Sequence, residues 1–525
     1  MNDPVPLLHD YLIHSAHRNG AKIALVCDGH RVTYDQLEAW SNAVAHHLVA
    51  AGIARGDRVI IFADNTVEAA VSFWAVLKAN AIACPINPLT KGDKLSYLLD
   101  DCQPTALITQ SRLYATFCEP ARHCPSLRRV IISGAIGDAD LNALPHAVRW
   151  SAVTATERDT APARRCIDID LAAIIYTSGS TGEPKGVMLT HRNMMTACTS
   201  VASYLEVRDD DIILNALPLA FDYGLYQMLM AVRAGARLVL ERSFAFPAEV
   251  LRHAAEEKVT GFPGVPTMFT TLLQLESLKS YDLSSIRYVT STGAALPVRH
   301  LLQLRDTFPG ARIYSMYGLT ECKRCTYLPP EDLDRKPSSV GIAIPNTEMW
   351  IVDERDQRVD AGVVGQLVIR GATVMKGYWR KPEATARKLK PGPLPGEQVL
   401  YTGDYCQMDA DGYLYFVSRS DEVIKSRGEK VAPKEVESAL LDIPGIREAA
   451  VIGVPDELLG HALKAFVVVD QGNPIDPKQI QRECQKRLES FMVPKYVVVV
   501  PALARTDTGK INKRELIAAS LMSNQ

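Results

Sequence analysis

Short apolar runs alternate with stretches of helical period along most of this chain. Over the first 90 residues the pattern predicts a helix at 7–18, a strand at 23–27 and a helix at 34–51 started by Thr33. A strand at 58–62, a helix at 66–79 and a strand at 81–86 follow. The runs are apolar throughout rather than alternating, as buried strands of βα units are, and this indicates parallel sheets. The pattern resumes after residue 171, with a helix at 193–204 and strand ends at 237–240, 261–266, 287–295 and 313–321 running into small-residue loops. Residues 217–224 read as a loop. From about residue 340 strands dominate, at 349–352, 366–369 and 413–416, with Asp411-Gly412 as a tight hairpin turn, so a small barrel-like lobe is expected. The last hundred or so residues, from 421, alternate again and suffice for a separate small domain.

One polar stretch interrupts this pattern sharply. Thr177-Ser178-Gly179-Ser180-Thr181-Gly182-Glu183-Pro184-Lys185-Gly186 lies between the apolar runs 172–176 and 187–189. Strand, loop and strand is the natural reading. Glycines allow close backbone approach to a ligand, hydroxyls and N–H groups can cradle phosphate oxygens, and Lys185 adds positive charge. It is not a P-loop, because Lys185 follows Pro184 and precedes Gly186, with a strand next instead of a helix.

Composition adds limits. With 525 residues the chain exceeds one compact core, and 47% hydrophobic with 22% charged residues describes a globular protein. A net charge of −2 gives no reason to expect nucleic acid or a membrane surface as partner. No apolar run approaches the ~20 residues of a membrane span and the N-terminus lacks a secretion signal, so a cytoplasmic enzyme is expected. Eleven scattered cysteines argue against a disulfide framework, and the Cys322/Cys325 pair, without a second pair or histidines at ligand spacing, reads as two free thiols rather than zinc ligands.

The 177–186 loop resembles, almost letter for letter, the phosphate loop of the adenylate-forming superfamily, which contains acyl-CoA synthetases, peptide-synthetase adenylation domains and luciferase. The resemblance extends over nearly the whole chain. It implies an α/β fold with a large N-terminal domain (1–420) of two doubly wound α/β subdomains and a small β-barrel-like lobe. A small mobile α+β C-terminal domain (421–525) would carry the catalytic lysine. ATP and Mg²⁺ are the implied cofactors, Thr177 and Glu321 the implied metal ligands, and Thr177, Ser178, Gly179, Ser180, Thr181, Gly182 and Lys185 the phosphate cradle. Tyr317-Gly318-Leu319-Thr320-Glu321 is similar to the motif that stacks on adenine, and an aromatic face is a sensible nucleobase platform. Ser291-Thr292-Gly293-Ala294-Ala295 resembles the turn lining the adenine and acyl pockets.

Tyr401-Thr402-Gly403-Asp404 resembles the ribose motif. Arg419 sits where the family keeps an arginine on the same sugar, although Ser418 replaces the usual glycine before it. By the same resemblance Asp421 is the hinge, Gly428 lets a pantetheine arm pass, and Lys510 in Asp507-Thr508-Gly509-Lys510-Ile511 catalyses adenylation. The implied reaction forms an acyl-adenylate and pyrophosphate from a carboxylic acid and ATP. The acyl group then passes to a phosphopantetheine thiol, on CoA or on an acyl or peptidyl carrier protein.

Asp222, in Phe221-Asp222-Tyr223-Gly224, bears on the choice of acid. Family members that activate amino acids often carry Phe-Asp there, the carboxylate pairing with the substrate ammonium. Asp222, Tyr223, Gly264, Ser291, Gly293, Met316 and Lys323 are the expected substrate-binding residues. A small amino, imino or β-amino acid loaded on a separate carrier protein is the first expectation, and a CoA ligase for a fatty or aromatic acid the second. Two alternatives stay open: Asp222 pairs instead with Lys323 or Arg324 or caps a helix, or the chain is a non-catalytic ATP/AMP sensor.

Overall fold

A computed structural model describes residues 6–522, apart from 145, 157, 179–182, 294–295, 420–421, 423, 427–428, 457–459, 471–474, 489 and 507–508. Two large sheets form its body. The first has eight strands, whose inner members Ile82–Ile86, Arg58–Phe62, Ala106–Gln110 and Arg129–Ser133 run parallel. Its far side ends in the antiparallel hairpin Leu171–Ser178/Pro184–Thr190. The second has nine strands, and Arg237–Leu240, Ile212–Asn215, Gly261–Gly264, Tyr288–Ser291 and Arg312–Tyr317 run parallel in it. The strands are buried, as their unbroken apolar sequences require.

Helix boundaries follow local chemistry. Thr33 and Gln36 form a reciprocal capping box at the start of Tyr34–Ala50, and Thr66 caps Val67–Lys78. Two elements depart from the sequence reading. His30–Thr33 is a strand hairpinned onto Ile23–Cys27, and Ile23–Cys27 joins the second sheet beside Arg237–Leu240, more than 200 residues away in sequence. The stretch read as a loop at 217–224 instead begins a helix at Asp222, which runs to Ala234. The preceding chain folds tightly over that first turn. A Cβ on Gly224 would meet the Pro218 carbonyl and lie 2.6 Å from that of Leu217, so only glycine fits there.

A five-stranded antiparallel sheet follows, built from Thr347–Val352, Gly365–Gly371, Leu389–Pro391, Gln398–Met408 and Leu414–Arg419. Gly412, at φ +83°, makes the expected turn between the last two. Residues 424–516 hold a second five-stranded sheet with apolar cores of their own, centred on Val451, Leu463 and Val467 on one face and Ile452 and Phe466 on the other. Among the described residues no helix is long and apolar enough to cross a membrane.

Candidate active site

The strand ends converge where the glycine-rich hairpin stands. Thr177 pairs with Lys185 across it, and the Thr177 hydroxyl reaches the Lys185 carbonyl at 3.5 Å. Gly179, Ser180, Thr181 and Gly182 lie outside the described residues, and Ser178 is described only in its backbone. The short strand Gly377–Tyr378 pairs with Val187–Met188 at the hairpin's edge. Tyr378 joins two parts of the site: its ring lies 5.7 Å from Lys185 Nζ, and its hydroxyl donates to Glu321 Oε1 at 2.6 Å. The sequence reading passed over this residue; the aromatic pair Tyr378-Trp379 straight after Gly377 was the available signal. The hydroxyl of Thr177 and the carboxylate of Glu321 are hard oxygen donors of the kind Mg²⁺ takes.

Asp404 and Arg419 face each other on paired strands, with Arg419 Nε 3.9 Å from Asp404 Oδ1. The Tyr317 hydroxyl donates to the same carboxylate. Burial raises the Asp404 carboxyl above its usual range, against the pull of Tyr317 and Arg419. The Tyr317 ring sits 6.0 Å from that of Phe416, and Lys434 Nζ, from the C-terminal region, lies 4.6 Å over Phe416. Lys434 is thereby packed on the barrel-like lobe, and burial brings its ammonium down to about 8.

Lys510 stands in the same cleft. Asp222, Asp404 and Glu321 act on its ammonium to hold the proton; burial acts first, and Arg419 also, to release it, with a net downward shift. Its surface is nevertheless open to water, as befits a side chain in a cleft walled by protein, so the shift carries no large energy. Beside it, a Cβ at Gly509 would stand 3.4 Å from Thr267 Oγ1. The lysine loop of the C-terminal region is therefore docked on the mouth of the N-terminal sheets.

Asp222 has a partner within the chain. Lys323 Nζ is 3.3 Å from Asp222 Oδ2 and 3.8 Å from the centre of the Tyr226 ring, with the lysine side chain only 2% exposed. Of the alternatives left open by the sequence, the pairing with Lys323 is the one the fold forms. Burial lowers the Lys323 ammonium to about 7, against the pull of Asp222 and with help from Arg324. Unfolded, this lysine keeps its proton to its ordinary 10.5, so between pH 7 and 10.5 the unfolded chain holds the extra proton. Stability from this group rises with pH across that window. Denaturation at pH 7 and pH 9 should accordingly show wild type gaining on Lys323→Met at the higher pH; a constant difference would contradict the shift.

Arg324 is buried too. Its guanidinium covers the Tyr223 ring at 4.9 Å and donates to Thr292 Oγ1 at 2.7 Å. Tyr223 is itself tied down, sharing a 2.5 Å hydrogen bond with Thr290 Oγ1. Ser291 ends its strand buried, and Gly293, at φ +91°, turns the chain between Val265 and Phe221. Gly264 lies against Phe269, and Met316 accepts the Tyr204 hydroxyl at 2.9 Å. Gly318 and Thr320 lead from Tyr317 to Glu321, with Thr320 half-buried. Cys322 and Cys325 are buried thiols with sulfurs 3.1 Å apart. Ala294, Ala295, Asp421 and Gly428 fall outside the described residues.

Residues 12–379 match the model of the AMP-binding enzymes, and residues 435–510 that of the AMP-binding enzyme C-terminal domain. A long-chain-fatty-acid–CoA ligase of Bacillus subtilis (strain 168) is 31% identical, over 98% of this chain and 94% of its own. Gramicidin S synthase 2 of Brevibacillus brevis is 30% identical over 94% of this chain, but only 11% of its own length. Among solved structures, the anthranilate CoA ligase AuaEII in complex with anthranoyl-AMP superposes with a TM-score of 0.90 at 27% identity, over 99% of this chain and 98% of that one. With both family models matched in order, the chain belongs to the AMP-binding enzymes of the adenylate-forming superfamily, and is an AMP-forming acid–thiol ligase.

Proposed function

We propose that the chain converts an acid with no ammonium beside its carboxylate into a CoA thioester, through an acyl-adenylate. The observation that carries this reading is the buried Lys323–Asp222 pair. Asp222 already holds a cation, so a substrate ammonium would arrive as an uncompensated buried charge, which is costly. The full-length similarity to CoA ligases supports CoA as the acceptor.

In this mechanism the substrate carboxylate attacks the α-phosphate of ATP and pyrophosphate departs. Lys510 holds the carboxylate and α-phosphate together, supplying orientation and charge where the new bond forms. The hairpin from Thr177 to Lys185 carries the outer phosphates, Asp404 and Arg419 the ribose, and Tyr317 and the turn at Gly293 the adenine. Glu321 and Thr177 would hold Mg²⁺, which would supply positive charge against the phosphates. The region after Asp421 then turns, withdrawing Lys510 and bringing Gly428 to the site for thiol attack and AMP release.

A second reading, an amino acid passed to a carrier protein, is favoured by Phe221-Asp222 and by the likeness to Gramicidin S synthase 2. The test is to supply ATP, CoA and matched pairs of acids differing only in an α- or β-amino group, and to follow AMP and acyl-CoA. Acyl-CoA from the desamino members is expected; turnover confined to the amino members would overturn the proposal.

A further inference from the structure

Two buried cations and one carboxylate meet at the wall of the acid site. Lys323 and Arg324 are 2% and 4% exposed. Asp222 lies 3.3 Å from Lys323, and among the described residues neither cation has another carboxylate within ion-pair distance. Lys323 Nζ and Arg324 Nε are both buried without a hydrogen-bond acceptor among those residues. Cys198, which also faces Lys323, is no counter-ion, since burial lifts its thiol to about 12. Structural reasons for a buried ion pair are common, but they do not explain a second cation that among the described residues donates to the neutral Thr292 hydroxyl and leaves its Nε without an acceptor.

The position of this surplus charge matters. Arg324 bridges the start of helix Asp222–Ala234, through Tyr223, and the end of strand Tyr288–Ser291, through Thr292. Both ends border the turn at Gly293, where Phe221 and Val265 close in. Asp222 is paired with Lys323 and also acts on the Lys510 ammonium.

Resting on the reading above of a CoA ligase for an acid without an ammonium, we infer that the acid is a short dicarboxylate. Lys510 takes the carboxylate that is activated, and Arg324 with Lys323 receives the second. Burial lowers the Lys323 ammonium to about 7, so an arriving second carboxylate holds a proton on it, while Arg324 Nε, buried without an acceptor among the described residues, gains one. A monocarboxylate leaves Arg324 Nε without an acceptor among the described residues. Because one aspartate both pairs with Lys323 and acts on Lys510, the acid is short.

The test compares kcat/KM for acyl-CoA formation by the wild-type enzyme on chain-matched probes: succinate with butyrate, glutarate with valerate, phthalate with benzoate. A charge-assisted hydrogen bond to the second carboxylate corresponds to a preference of about 10- to 100-fold for the diacid. Succinamate, which keeps the shape and loses the charge, should fall with butyrate. Arg324→Gln and Lys323→Met should each shrink the diacid/monoacid ratio through KM, a change that mere loosening of the fold would not confine to the diacids. Should either variant fail to fold, the wild-type ratios and the succinamate comparison decide. Monoacids used as well as or better than diacids would overturn the inference and leave the CoA-ligase reading standing. Activity with amino acids alone would overturn both.

Discussion

Lys510→Ala is expected to slow acyl-adenylate formation by about 1000-fold, the loss seen when one preorganised donor is removed from a charge-developing site. The reason is positional. Asp222, Asp404 and Glu321 all act on Lys510, three carboxylates contributed by a helix start, a strand of the barrel-like lobe and the turn after Tyr317. In the proposed mechanism, charge at that point serves the step in which carboxylate and α-phosphate meet, and the second step does not need it. ATP–pyrophosphate exchange should therefore be lost in the variant, while thioester formation from supplied acyl-adenylate is retained. Parallel loss of both half-reactions would mean that Lys510 only supports the docked arrangement.

Gly318→Ala is expected to cost about 3 kcal/mol of stability and most of the activity, although glycine has no side chain to act. After Tyr317 the chain folds back at once: the Cys325 amide donates to the Tyr317 carbonyl at 2.9 Å, and Lys323 sits at φ +67°. A Cβ on Gly318 would meet the Lys323 carbonyl and stand 2.8 Å from Arg324 Cα. Both are backbone atoms, which cannot swing aside as a long side chain would. The displaced loop carries Glu321, Lys323 and Arg324 together. Gly412→Ala serves as control: its φ of +83° imposes strain, but nothing lies within 4 Å of the added carbon. Denaturant midpoints and initial rates compare the two, and equal effects would contradict the steric account.

Which parts were legible in the sequence follows from the range of the forces involved. Strands such as Arg58–Phe62 and Arg237–Leu240, and the cap at Thr33, depend on neighbours a few residues away and could be read directly. Pairing of Ile23–Cys27 with Arg237–Leu240 could not, because nothing local distinguishes one buried parallel edge from another. The helix start at Asp222 was hidden by the proline-containing stretch before it and the glycine inside its first turn, whose close approach to each other is a tertiary contact. The phosphate hairpin, Glu321, Asp404, Arg419 and Lys510 were named from their motifs, whereas Tyr378 reaches Glu321 only through the fold. The substrate wall was the least legible part. Asp222 suggests an ammonium by itself, and only the folded chain shows that Lys323, a hundred residues later, stands 3.3 Å from it.

One docked arrangement is expected to serve adenylation and a different one thiol attack. Cysteines at Thr267 and Gly509, where a Gly509 Cβ comes within 3.4 Å of Thr267 Oγ1, would lock the lysine loop in place by a disulfide, with some backbone strain at Gly509, whose φ is +80°. In a single-turnover assay the locked enzyme should release pyrophosphate and accumulate acyl-adenylate, yet form no acyl-CoA until a reductant is added. Acyl-CoA formed at the unlocked rate while the disulfide is intact would contradict the account.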